Sequence, residues 1–138
     1  MSVKILADVN ICLDLLLDRK PFVNFSGRIF EMAEEEEIIL FISGLSFDTL
    51  FYVMRPAIGK KKTMEKLWLL HSYTSVGIVD SFVVKKALQS GWKDLEDALQ
   101  YYCALRSECK YLVTRNVQDF RRDTDQIKIL KPEEFLML

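Results

Sequence analysis

Five aspartates carry most of the chemical content of this sequence: Asp8, Asp48, Asp94, Asp97 and Asp119. Asp8 ends the apolar run Val3 to Ala7, and Asp48 follows the apolar run Ile38 to Ile42. Asp94 and Asp97 stand at one margin of the apolar helical face formed by Leu95, Ala98, Leu99, Tyr102 and Leu105. At about 100° per residue they lie within about 60° of each other, so both can face one cleft, whereas Glu96 falls at the opposite margin. Asp119 belongs to a polar cluster, with Thr114 and Asn116, just beyond the run Tyr111 to Val113. Carboxylates that converge repel one another unless protonated or bridged by a cation. With no histidine or cysteine among them, the donors are all oxygen, which selects Mg²⁺ or Mn²⁺ over zinc. Such clusters suit phosphodiester hydrolysis, one ion activating water and a second, ~3.5–4 Å away, stabilising the leaving oxygen. No Ser–His–acid arrangement, Gly-rich dinucleotide turn or zinc motif competes.

Each of these residues also has a purely structural reading. Asp8 can be a solvated turn residue and Asn10 the N-cap of the helix that follows. Asp48 would sit in the first turn of a helix, where the dipole favours a negative charge. Asp94 fits an N-cap, with Asp97 three residues on in a box-like cap. Asp97, at the edge of a buried face, carries the functional expectation most directly.

The elements that must position them alternate. Strands are expected at Val3–Ala7, Ile38–Ile42, Ser75–Val79, Tyr111–Val113 and Ile127–Leu130, as continuous apolar runs of the kind buried on both faces of a parallel sheet. Helices are expected between them. One follows Asp8, one presents Phe22, Phe25, Ile29 and Ala33, and one, capped by Ser43 or Ser46, stops near Arg55-Pro56. A further one carries Met64, Leu67, Trp68 and His71, with Trp68 expected in the core; the next runs from Phe82 to Gln89 and stops at Ser90-Gly91. Pro132 starts a terminal turn. Strands alternating with helices predict an α/β fold, a three-layer α/β/α sandwich around a parallel sheet. In such sheets ligand sites lie beyond the carboxyl ends of the strands, where Asp8 falls.

The 138 residues predict a single domain, 1–138, and 50% hydrophobic with 28% charged residues is ordinary for a globular protein. A formal charge of -1 gives no overall pull on nucleic acid, so any such binding needs a local basic patch. The one cluster of that kind is Arg55, Lys60, Lys61, Lys62 and Lys66, read first as a solvated face and second as an RNA contact. Cys12, Cys103 and Cys109 lie in apolar segments without metal-ligand spacing and are expected as buried thiols. Without a leader or a membrane-spanning run, a cytoplasmic location is expected.

Ile5-Leu6-Ala7-Asp8-Val9-Asn10, Asp94-Leu95-Glu96-Asp97-Ala98-Leu99, Thr114-Arg115-Asn116-Val117-Gln118-Asp119-Phe120 and Pro132-Glu133-Glu134-Phe135-Leu136, in this order and spacing, resemble a PIN-domain protein, in particular the VapC-type toxin ribonucleases of prokaryotes. The resemblance covers nearly the whole chain. It implies a sheet ordered 3-2-1-4-5 and a metal-dependent nuclease acting on single-stranded or structured RNA. It also implies a homodimer and a small antitoxin partner. Asp8 matches the first catalytic acid, Asn10 the small polar residue two positions on, and Asp97 the acid before the alanine in the late helix. Asp48 sits where the family usually has glutamate, with a shorter reach. Asn116 stands where many members have aspartate, so Asp119 is the candidate substitute.

The resulting expectation is a Mg²⁺- or Mn²⁺-dependent endoribonuclease. Asp8, Asp48 and Asp97 would hold the metal, Asp119 would assist, and Asn10, Asp94, Thr114 and Asn116 would support them. The rival is a PIN domain of weak or no activity that serves as a binding or assembly module. A phosphatase or receiver-like domain with Asp8 as phospho-acceptor is disfavoured, because no suitable lysine follows a late strand.

Overall fold

Parallel strands buried on both faces must place alternate residues in two separate cores, and the first strand shows this directly. In the computed structural model, which describes residues 2–120 and 126–138, Ile5 and Ala7 join one core cluster and Leu6 the other. The sheet has five parallel strands in the order β3-β2-β1-β4-β5: β1 (Val3–Ala7), β2 (Ile38–Ser43), β3 (Ser75–Gly77), β4 (Tyr111–Val113) and β5 (Lys128–Leu130). The N-terminal strand is therefore central, flanked by β2 and β4.

Among the described residues eight helices cover the sheet: α1 (Val9–Leu16), α2 (Val23–Glu34), α3 (Gly44–Ile58), α4 (Lys60–Tyr73), α5 (Ser81–Gln89), α6 (Leu95–Arg106), α7 (Val117–Phe120) and α8 (Pro132–Leu136). Helices α1 to α4 and α8 pack on the face of Ile5, Ala7, Leu40 and Ile42. Helices α5 to α7 pack on the face of Leu6 and Leu112. This is the α/β/α sandwich and strand order expected.

Several local expectations are corrected. Pro56 does not stop α3, which continues to Ile58 and ends at Gly59, whose φ of 86° takes it into the left-handed region. Proline is tolerated there because the hydrogen bond it forgoes would go to the carbonyl of the exposed Tyr52, which water can reach. The inward face of α2 is Ser26, Ile29, Phe30 and Ala33, while Phe22 and Phe25 are exposed. Trp68 is 76% exposed and stacks on His71, because Thr63, Leu67 and Leu70 set the inward face of α4. Lys66 leaves the basic cluster: its Nζ donates to the carbonyl of Leu16 at the end of α1, 3.0 Å away. Strand β3 ends at Gly77 rather than Val79.

Gly77 is where α6 approaches the sheet edge. A Cβ there would lie 2.6 Å from the Sγ of Cys103, so no larger residue fits without displacing the helix or the thiol. The three cysteines are buried and unpaired, and burial raises the Cys103 thiol to about 11 and that of Cys109 to about 12.

Candidate active site

Asp8 sits where β1 turns into α1. Its backbone N–H donates to the carbonyl of Val113 (3.0 Å), tying it to the end of β4. Its Oδ1 accepts from the N–H of Val9 (2.7 Å), so Asp8 rather than Asn10 caps α1. Asn10 is instead the second residue of the helix and half-buried. The other carboxylate oxygen, Oδ2, accepts from the hydroxyl of the fully buried Thr114 (2.9 Å). That hydroxyl in turn accepts from the N–H of Asn116 (3.1 Å), which leaves its own proton for Asp8. Asn116 itself is exposed.

Only 3% of Asp8 is exposed, and burial raises its pKa to about 6, against the lowering effect of the Thr114 and Val9 hydrogen bonds. The charge of Glu96 raises it further and that of Arg115 lowers it. Asp97, in the first turn of α6, is raised to about 7, by burial first and then by the charges of Asp94, Asp8, Asp119 and Glu96. A cleft of about 520 Å³ lies here, lined by Lys93, Asp94, Asp97, Gln118 and Asp119. Asp94 caps α6 through its Oδ1, which accepts from the N–H of Asp97 (3.0 Å), and its charge still bears on Asp97.

The structure thus brings Asp8, Asp94, Asp97 and Asp119 into electrostatic reach, and with them Glu96, which helical phase alone had assigned to the opposite margin. Glu96 is exposed, but its charge acts on both Asp8 and Asp97. Asp48 is not among them. Ser46, Leu50 and Met54 form the inward face of α3, and Asp48 lies about 200° round from Ser46. It is exposed and lines a groove between α3 and α4 with Phe47, Phe51, Met64 and Trp68. In the inward position of that first turn, Ser46 accepts a 2.9 Å hydrogen bond from Nε2 of the buried Gln100, one turn along α6 from Asp97.

The fit of a divalent cation follows from the donors. Asp8 and Asp97 are held in conditions that disfavour their ionised forms, and a bound cation would reverse that. Each oxygen of Asp8 makes one hydrogen bond and keeps acceptor capacity. Among the described residues no group of three or more His, Cys, Asp or Glu side chains is placed to hold a metal ion. Mg²⁺ does not require one, since it commonly keeps several waters and takes one or two carboxylates. The residues fit.

One ionic element was missed in the sequence. Asp14 of α1 is fully buried, its Oδ1 accepting from Nη2 of Arg115 (3.1 Å) and its Oδ2 lying 2.9 Å from Nε of the same guanidinium. The available signal was a carboxylate set in the run Leu13 to Leu17, where a buried charge demands a partner.

With this geometry in hand, similarity to known proteins can be placed on it. The family model described as PIN domain matches residues 4–118. Ribonuclease VapC1 of Aquifex aeolicus (strain VF5) is 26% identical over 139 residues, covering 97% of this chain and 94% of the relative. Among solved structures, VapBC from Salmonella typhimurium bound to DNA superposes with a TM-score of 0.71 at 16% identity, covering 94% of this chain and 98% of the other. VapBC-1 from nontypeable Haemophilus influenzae superposes with a TM-score of 0.71 at 17% identity, covering 95% and 99%. At those identities the two structures speak for the fold, which is the sandwich described above. The family match reaches from β1, through the aspartate that caps α1 and the acidic first turn of α6, into α7, and on that match this chain belongs to the PIN domain family.

Proposed function

We propose that this chain is a Mg²⁺- or Mn²⁺-dependent endoribonuclease that hydrolyses phosphodiester bonds of single-stranded or structured RNA, as the toxin of a toxin–antitoxin pair in the cytoplasm. The observation that carries the reading is Asp8, buried at the carboxyl end of β1 and held by the Thr114 hydroxyl, within electrostatic reach of Asp97 in the acidic first turn of α6. Similarity to Ribonuclease VapC1 along nearly the whole chain supports the substrate class. Similarity to VapBC complexes supports an antitoxin partner.

In this reading Asp8 and Asp97 would hold the metal, and Asp94, Asp119 and Glu96 would add negative charge around it. Thr114 fixes the rotamer of Asp8, Asn116 fixes Thr114, and Asn10 borders the site from the first turn of α1. Asp48 stands outside this set. When bound, the ion supplies positive charge at the phosphodiester and a coordinated water of lowered pKa. The protein's own part is to hold two carboxylates ionised against that charge and to keep them from swinging into solvent. An apolar groove of about 680 Å³ runs between α3 and α4, with Met64 and Trp68 exposed along it. No described helix is long and apolar enough to cross a membrane.

A single assay series tests the reading: cleavage of a single-stranded RNA by the purified protein with Mn²⁺, with a chelator, and by Asp97→Asn. Cleavage that survives chelation or the substitution would overturn it. Among the described residues no group of three or more His, Cys, Asp or Glu ligands is found, which accords with the second reading, a binding module of little activity. Calorimetric titration with Mn²⁺ separates the two, since the module predicts no binding.

A further inference from the structure

Two consecutive residues of the segment after β4 grip two carboxylates on the same strand–helix unit. Thr114 donates to Asp8, and Arg115 pairs with Asp14 six residues on. Arg115 is the middle residue of a tight turn in which the N–H of Asn116 reaches back to the hydroxyl of Thr114. Its guanidinium also lies over the ring of Phe22, 4.0 Å from the centroid, so it is held on a second side. Asp14 has no exposed surface, which makes this contact costly to break and geometrically narrow. Arg19 also approaches Asp14, but at 4.0 Å and from the end of α1 rather than from the turn.

We infer that Arg115 is a positioning residue: locked to Asp14, it holds the turn so that the Thr114 hydroxyl stays on Asp8 and presents that carboxylate to a divalent cation. The inference rests on the metal-binding reading above. A single hydroxyl at the start of a turn has several rotamers open to it, and only one reaches Asp8. An anchor on the adjacent residue removes that freedom before any metal arrives, and outer-sphere contacts of this kind govern metal affinity in proteins generally. An ion pair that served stability alone would leave metal affinity unaltered.

The test is a double-variant cycle on the full chain, read by calorimetric titration with Mn²⁺ and by the three-bond couplings that report the χ1 rotamer of Thr114 in the metal-free protein. Arg115→Met should weaken Mn²⁺ binding about 10–100-fold, and Thr114→Val should do the same. With Thr114→Val already present, Arg115→Met should cost less than about threefold more, because both act through one hydroxyl. Arg19→Ala should leave affinity unchanged. If Arg115→Met fails to fold, Asp14→Asn keeps a buried acceptor and gives the same comparison. Unchanged affinity in the single variants, or equal multiplicative losses in both backgrounds, would overturn the inference. If the unmodified protein binds no Mn²⁺, the metal reading fails on its own, and the couplings still decide: a single Thr114 rotamer retained in Arg115→Met overturns the positioning role.

Discussion

The hydroxyl of Thr114 lies 2.9 Å from Oδ2 of Asp8, joining the end of β4 to the end of β1 across 106 residues of chain. With this hydroxyl on Oδ2 and the Val9 N–H on Oδ1, the buried Asp8 is oriented before any ligand is present.

Asp8→Asn should abolish RNA cleavage while leaving the metal-free protein at pH 8 as stable as the parent or more so, by roughly 0.5–2 kcal/mol. Asparagine can still cap α1 through its one oxygen, with its amide NH2 then donating to the Thr114 hydroxyl, and it removes a charge that burial and Glu96 disfavour. Chemical denaturation together with an RNA cleavage assay checks both halves. An unfolded variant would point to a structural role for the charge.

Stability should also depend on pH in a particular direction. Asp8 and Asp97 are raised in the fold to about 6 and about 7, above ordinary carboxylate values. Between about pH 4 and pH 7 the native state therefore binds more protons than the unfolded state, and stability falls as pH rises through that window. The metal-free protein should be more stable at pH 5 than at pH 8, by on the order of 2 kcal/mol. Saturating Mn²⁺ should shrink or reverse the difference, because the cation favours the ionised forms. Melting curves at the two pH values, with and without metal, measure this; stability that rises from pH 5 to pH 8 without metal would contradict it.

The two aspartates that sequence position treats alike should behave differently. Asp97→Asn should reduce the cleavage rate by at least about 100-fold, and Asp48→Ala should leave it within about threefold, since the outward phase of α3 turns Asp48 to the groove shared with α4. Initial rates at saturating Mn²⁺ settle the matter. Equal losses in both would return Asp48 to the metal set.

Gly77→Ala should destabilise the protein by roughly 1–3 kcal/mol, because the new methyl would meet the Cys103 sulfur at 2.6 Å. Adding Cys103→Ala should recover most of that loss by removing the obstructing atom. Urea denaturation of the four proteins in the cycle gives the coupling; additive effects would show that the contact relaxes without cost.

What could be read from the chain and what could not divides along a physical line. The strands were legible because parallel strands buried on both faces are written as unbroken apolar runs, as in Ile38 to Ile42. The helix that carries Asp97 was legible but its inward face was not: Leu95 is 49% exposed and Leu99, Tyr102 and Leu105 are half-buried, while Ala98, Tyr101, Cys103 and Ala104 turn inward. Helical phase was harder. In α2 the apolar Phe25 stands beside the small polar Ser26, and in α4 Leu67 stands beside Trp68, and only tertiary packing decides which turns inward. The same limit applies to Asp48, whose distance beyond β2 is readable but whose rotation about α3 goes with Ser46 facing Gln100. The pairing of Asp14 with Arg115 spans 101 residues, and no local pattern joins them.

The central place of β1 has a consequence for how the molecule comes into being. The strand that carries Asp8 is translated before every other described element, yet one of its two neighbours, β4, follows only after all six helices from α1 to α6. At elongation rates of about 5–20 residues per second, Thr114 appears roughly 5–20 s after the aspartate it orients. During that interval the nascent chain holds Asp8 beside an unpaired strand edge, without the hydroxyl that fixes it and without the backbone carbonyl of Val113 that ties it down. The acidic centre is therefore assembled late in synthesis, and a ribosome that halts before β4 releases a fragment with the acid but not the site.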